Sequence, residues 1–178
     1  MRYLLTLALL TVPAGLVAQE AGKPMPPHYR EVQVRMLELQ RDMLLAMADS
    51  MPESLYREAA TPAQRDFAQQ LHHAASTIVF IGARFAGATP PALPDTATVL
   101  NGREGMRGYI NAVYDFGVQA LKDQSDEARA TVVSFFGGQQ IPNWQVWDEI
   151  HQHTIWTAGQ CVANFRKHGM APPGFGFF

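Results

Sequence analysis

The sequence predicts an all-α fold, a four-helix bundle with long crossover connections, and three observations carry that expectation. Four segments repeat apolar residues at helical spacing, Gly and Pro punctuate their ends, and two long aperiodic stretches separate helix two from three and helix three from four. Those stretches are too long for tight antiparallel hairpins. With 178 residues, 47% of them hydrophobic, the chain can bury one core and is too short for two ordinary domains.

The opening MRYLLTLALLTVPAGLVAQE sets one Arg before an apolar run from Tyr3 to about Val17 and ends in small residues around Ala18. This is the pattern of a secretory signal peptide over residues 1–18. Pro13 and Gly15 break a run already short for a membrane span. An exported protein, periplasmic or secreted, with no stable membrane span after cleavage is therefore expected. Residues 19–27, rich in Gly, Lys and Pro, read as a flexible lead-in, and residues 28–178 as the bundle domain. Cys161 is the only cysteine, which excludes an intramolecular disulfide, thiolate metal clusters and CxxCH haem attachment. A net charge of -2 without a Lys/Arg-rich run argues against a nucleic-acid partner.

Helix one spans Tyr29 to Ser50, with Val34, Leu37, Leu44, Leu45 and Met47 on a broad apolar face and its methionines as core filler. Pro52 ends it. Thr61-Pro62-Ala63-Gln64 has the form of a capping box opening helix two, whose stripe runs through Phe67, Leu71, Ala74, Ile78, Ile81 and Phe85 to roughly Ala86. His72 and His73 lie off the centre of that stripe. Residues 87–102 hold three prolines and no period, so they read as a loop. Met106, Ile110, Val113, Gly117 and Leu121 make helix three. After it the β-prone Val132-Val133-Ser134-Phe135-Phe136, broken by Gly137-Gly138, reads as an extended crossover.

Helix four begins near Asn143 and carries Trp147, Ile150, Thr154, Cys161 and Phe165 on its apolar stripe. Beside it His153, Thr157, Gln160 and Asn164 form one polar lane at helical spacing, which must find partners or line something hydrated. His151 and His153 point about 200° apart on a helix, so they cannot share a metal. Cys161 reads as core, and His168 as a residue of the last turn, before Gly169, where an imidazolium suits the helix dipole. The tail Phe175-Gly-Phe-Phe178 is unusually aromatic. No elbow or triad of a serine hydrolase is present.

The order of these pieces resembles the DinB-like superfamily. The resemblance rests on Leu71-x-His73-x-Ala75 in helix two, on His153-Thr-Ile-Trp-Thr157-Ala-Gly159-Gln160 in the last helix, and on Asn164-Phe165-Arg166 and Gly169-Met-Ala-Pro172-Pro173 after it. It covers most of the chain after residue 28. The resemblance implies a four-helix bundle binding a divalent metal (Zn, Ni or Fe) through His73, His153 and a third histidine. Thr157 stands where that third ligand belongs. His72, Gln160 and Asn164 are then candidates for supporting or lining the site, with His72 a substitute ligand.

Two functions from different classes follow. One is a metal-dependent hydrolase or thiol transferase on a degenerate site. The other is a non-catalytic bundle binding a small molecule or a protein, with Trp144, Trp147, Trp156 and residues 87–102 shaping a pocket. A small-molecule ligand, and a second copy of the chain in a homodimer, are the partners expected.

Overall fold

The computed structural model describes residues 24–174. The expected signal peptide, most of the lead-in and the aromatic tail lie outside the described residues. Four long helices, α1 (Tyr29–Ser50), α2 (Phe67–Phe85), α4 (Arg103–Asp123) and α6 (Val146–Lys167), are joined through two short ones, α3 (Thr96–Asn101) and α5 (Asp126–Ala130). One small antiparallel pair, β1 (Val132–Ser134) with β2 (Gln140–Pro142), precedes α6, so the described chain is mostly helical.

Each long helix packs on two others. α2 lies between α4 and α6, while α1 closes the other side against the same two helices and barely meets α2. Leu37 and Leu44 of α1, Leu71 and Ile78 of α2, Ile110 and Leu121 of α4, and Trp147 and Phe165 of α6 meet in the buried centre. The approach of α2 to α4 depends on glycine. A Cβ on Gly117 would sit 2.4 Å from the Ile78 Cγ2 methyl, and one on Gly82 2.6 Å from a ring carbon of Phe116.

Helix two begins later than the Thr61–Gln64 capping box suggests. That tetrad forms a turn, with Gln64 N–H donating to the Thr61 carbonyl at 3.1 Å. The capping box is instead Asp66 with Gln69: Gln69 N–H donates to the Asp66 carboxylate at 2.8 Å and Asp66 N–H to Gln69 Oε1 at 3.1 Å. Asp66 also pairs with Arg57 at 2.8 Å. The amides of Phe67 and Ala68 donate to the carbonyls of Glu58 and Tyr56, so tertiary contacts with the connector fix the first helical turn there.

Residues 87–102 are not wholly irregular, because Asp95 caps the short α3 by accepting from Ala97 N–H and Thr98 N–H. The stretch before helix four also differs from an extended crossover. It turns through Gly137 and Gly138, both at positive φ, and folds back as a hairpin with Val133 opposite Ile141. A single 3-10 turn, Asn143–Gln145, leads into α6.

Inside, α1 presents two buried glutamines, Gln33 and Gln40, among its apolar residues. Gln33 donates to the Trp144 carbonyl (2.8 Å) and to Asp148 (2.7 Å) and accepts from the fully buried Arg129 (2.5 Å). It thereby relays a buried cation to a carboxylate that it does not touch, and every polar atom of the amide is used. Gln40 bridges Tyr114 of α4 to His151 of α6 in the same manner.

Candidate functional site

His73 lies at the border of the α2 stripe set by Leu71 and Ala74, half-buried and turned toward α6. There its ring meets that of His153 edge to face, 5.2 Å between centroids. Two threonines flank the pair. Thr77, one turn after His73, places its hydroxyl 3.2 Å from His153 Nδ1, and Thr157, one turn after His153, places its own 3.4 Å from Nε2. A neutral imidazole has one donor and one acceptor nitrogen, and a hydroxyl can fill either role, so this arrangement suits uncharged His153.

Burial pushes the pKa of both histidines below the ordinary 6.5, and the positive charge of Arg65 lowers both further; His153 and His72 add to the effect on His73. Thr157 is buried, and its backbone carbonyl accepts from Gln70 of α2 at 3.1 Å, which fixes this turn of α6 against α2.

The structure thus brings His73, His153 and Thr157 together at one α2–α6 contact. The donors there are two imidazoles and hydroxyls, and a neutral threonine hydroxyl is a poor ligand for Zn²⁺ or Ni²⁺. Among the described residues no group of three or more His, Cys, Asp or Glu side chains is placed to hold a metal ion. This donor set does not fit a divalent ion held by three protein ligands.

The other lane and histidine candidates are placed elsewhere. His72 stacks on Tyr109 of α4, 4.6 Å between centroids and 23° between planes, with burial lowering its pKa. Gln160 is half-buried farther along α6. Asn164 donates to the Glu58 carbonyl at 2.8 Å, so the end of the lane fastens α6 to the connector between α1 and α2. His151 contacts Gln40 at 2.7 Å on the face of α6 toward α1. Cys161 is buried with its thiol pushed up to about 12, the mark of an inert core residue. His168 sits 3.3 Å from a Glu58 carboxylate oxygen where α6 ends. The following Gly169 at positive φ and Met170 donate back to Arg166 and Phe165 in a Schellman stop.

Next to the histidine pair a groove of about 420 Å³ opens on the surface. It is lined by Thr77 and Ile81 of α2, by Glu149, Ile150, Gln152, His153 and Trp156 of α6, and by Phe135 and Phe136 of the hairpin. Trp156 is 77% exposed and Phe136 61%, large values for such side chains. The hairpin phenylalanines are themselves held, Phe136 stacked on Phe80 (5.8 Å) and Phe135 tilted on Phe85 (5.6 Å).

Of the tryptophans expected to shape a pocket, Trp156 lines this groove. Trp144 and Trp147 are buried, the first edge-on to Tyr29 and the second donating to Gln124 at 3.1 Å. The hairpin, not residues 87–102, lines this groove; Gly87, Ala88 and Thr89 line a separate cavity with Phe116 and Gln119 of α4. Thr77, Glu149, Phe135 and Phe136 were not singled out from the sequence as site residues. Helical spacing carried part of the signal, since Thr77 is four from His73 and Glu149 is four before His153. Nothing local in the sequence announced that Phe135 and Phe136 fold back onto α2. A scan against protein-family models and a search of curated proteins find no match to this chain.

Proposed function

We propose that the chain is an exported small-molecule-binding protein built on a DinB-like four-helix bundle, and that it binds its ligand without a resident metal. One observation carries the reading: Thr77 and the neutral His153, backed by His73 and Thr157, line a largely apolar groove of about 420 Å³, within the usual size of a small-ligand site. The cluster supplies a few directional polar groups and the groove supplies apolar contact area, which together orient and retain a small organic molecule. In this reading, His153 acts as an uncharged hydrogen-bonding group on the groove, with His73 packed behind it.

The secretory pattern at the N-terminus supports export, and Leu71-x-His73 with His153-x-x-x-Thr157-x-Gly159-Gln160 supports the family resemblance. Among the described residues no helix is long and apolar enough to cross a membrane.

A metal-dependent hydrolase or thiol transferase is the second reading, favoured by the two imidazoles facing each other at 5.2 Å. Position 157 weighs against it, because its hydroxyl replaces the imidazole that would complete the ligand set.

Ligand binding by chelator-treated protein separates the two. Thermal-shift screening against small apolar and aromatic molecules is expected to give stabilising ligands whose effect persists in EDTA and disappears in His153→Ala. Ligands that stabilise only after Zn²⁺, Ni²⁺ or Fe²⁺ is restored would overturn the metal-free reading.

A further inference from the structure

The groove beside His153 has a chemical bias that its size alone does not reveal. Its side chains include one carboxylate, that of Glu149, and no lysine or arginine. Glu149 is half-buried, and among the described residues no cation forms a salt bridge with it, whereas Arg30, Arg41, Arg57, Arg107 and Lys167 each engage an acidic partner elsewhere. Its place in the first turn of α6 suits a carboxylate through the helix dipole, but the same position also puts the charge on the groove wall.

Phe135 and Phe136 from the hairpin and Trp156, two turns along α6 from Glu149, line the same groove, and their ring faces attract cations as well as apolar carbon. The hairpin rings are held in place by Phe80 and Phe85, so little ordering is needed when a ligand enters. Thr77 and Gln152 each add an oxygen able to accept a hydrogen bond.

Resting on the reading of the groove as a ligand site, we infer that its ligand is an apolar organic amine, with the ammonium paired to Glu149 and the hydrocarbon body against Trp156 and the hairpin phenylalanines. An unpaired carboxylate in a partly desolvated, aromatic-walled groove favours a compact organic cation over its neutral or anionic counterparts. The carboxylate attracts the first, gives the second no charge contact, and repels the third.

The test is calorimetric titration of the intact protein at neutral pH with three probes of similar shape: 2-phenylethylamine, 2-phenylethanol and phenylacetate. The amine is expected to bind roughly tenfold or more tightly than the alcohol, with phenylacetate weakest. Glu149→Gln, checked for an unchanged thermal midpoint, should remove the preference so that amine and alcohol bind alike. If alcohol or phenylacetate binds as tightly as the amine, and Trp156→Ala weakens all three, the groove is a ligand site but the amine assignment falls. Failure of every probe overturns both the amine assignment and the ligand-site reading. So does a dimer in sedimentation that Trp156→Ala disperses, since the groove would then be a face between copies.

Discussion

At the residue scale, the site is defined by uncharged histidines. His72, His73, His151 and His153 are all held below the usual imidazole value, in each case chiefly by burial. When a folded-state pKa lies below the unfolded one, the unfolded chain binds more protons in the interval between them, so stability rises with pH through that window. The contribution is therefore whole above the ordinary value of 6.5 and is lost as the pH falls through the depressed folded values. Asp148, raised by burial, works with the opposite sign at more acid pH, so single variants are needed to isolate the histidines. The thermal midpoint is expected to fall between about pH 7 and pH 5, and His73→Gln or His153→Gln to flatten that fall. A slope unchanged in both variants would contradict the burial argument.

At the scale of the element, sequence and structure agree where a helix is long and its period strong. Helix one spans the same residues in both, and the apolar positions of helices two, three and four are the ones that face inward. Two capping patterns lie five residues apart, and α2 starts at the second of them. Local rules rank Thr61-Pro62 highly, yet Arg57, Glu58 and Tyr56 decide in favour of Asp66 through contacts that no local pattern contains. Gln33 and Gln40 were equally hidden, because a buried glutamine reads as polar until Arg129, Asp148, Tyr114 and His151 are placed around it. The α2–α4 contact gives a sharp prediction. Gly117→Ala should lower stability by about 2 kcal/mol in denaturant unfolding, because overpacking against Ile78 outweighs the better helix propensity of alanine. A neutral or stabilising result would mean that the helices can move apart freely.

At the scale of the whole molecule, the ring of contacts through α1, α4, α2 and α6 brings residues 80 positions apart, His73 and His153, to one point, and the hairpin before α6 sets aromatic rings beside them. The motifs in α2 and α6 pointed to His73 and His153 together, and their rings do meet, with Thr157 one turn beyond His153. The groove was not, because it is made between α6, α2 and a hairpin whose path depends on tertiary packing. A junction that binds a small organic ligand without metal and one that holds a working metal site differ in metal content. Elemental analysis of the purified protein, paired with Thr157→His, decides between them. Sub-stoichiometric Zn, Ni and Fe are expected in the natural protein, and near-stoichiometric Zn with a higher thermal midpoint in Thr157→His, where a third imidazole joins His73 and His153. Near-stoichiometric metal in the natural protein, removed by His153→Ala, would contradict the metal-free reading.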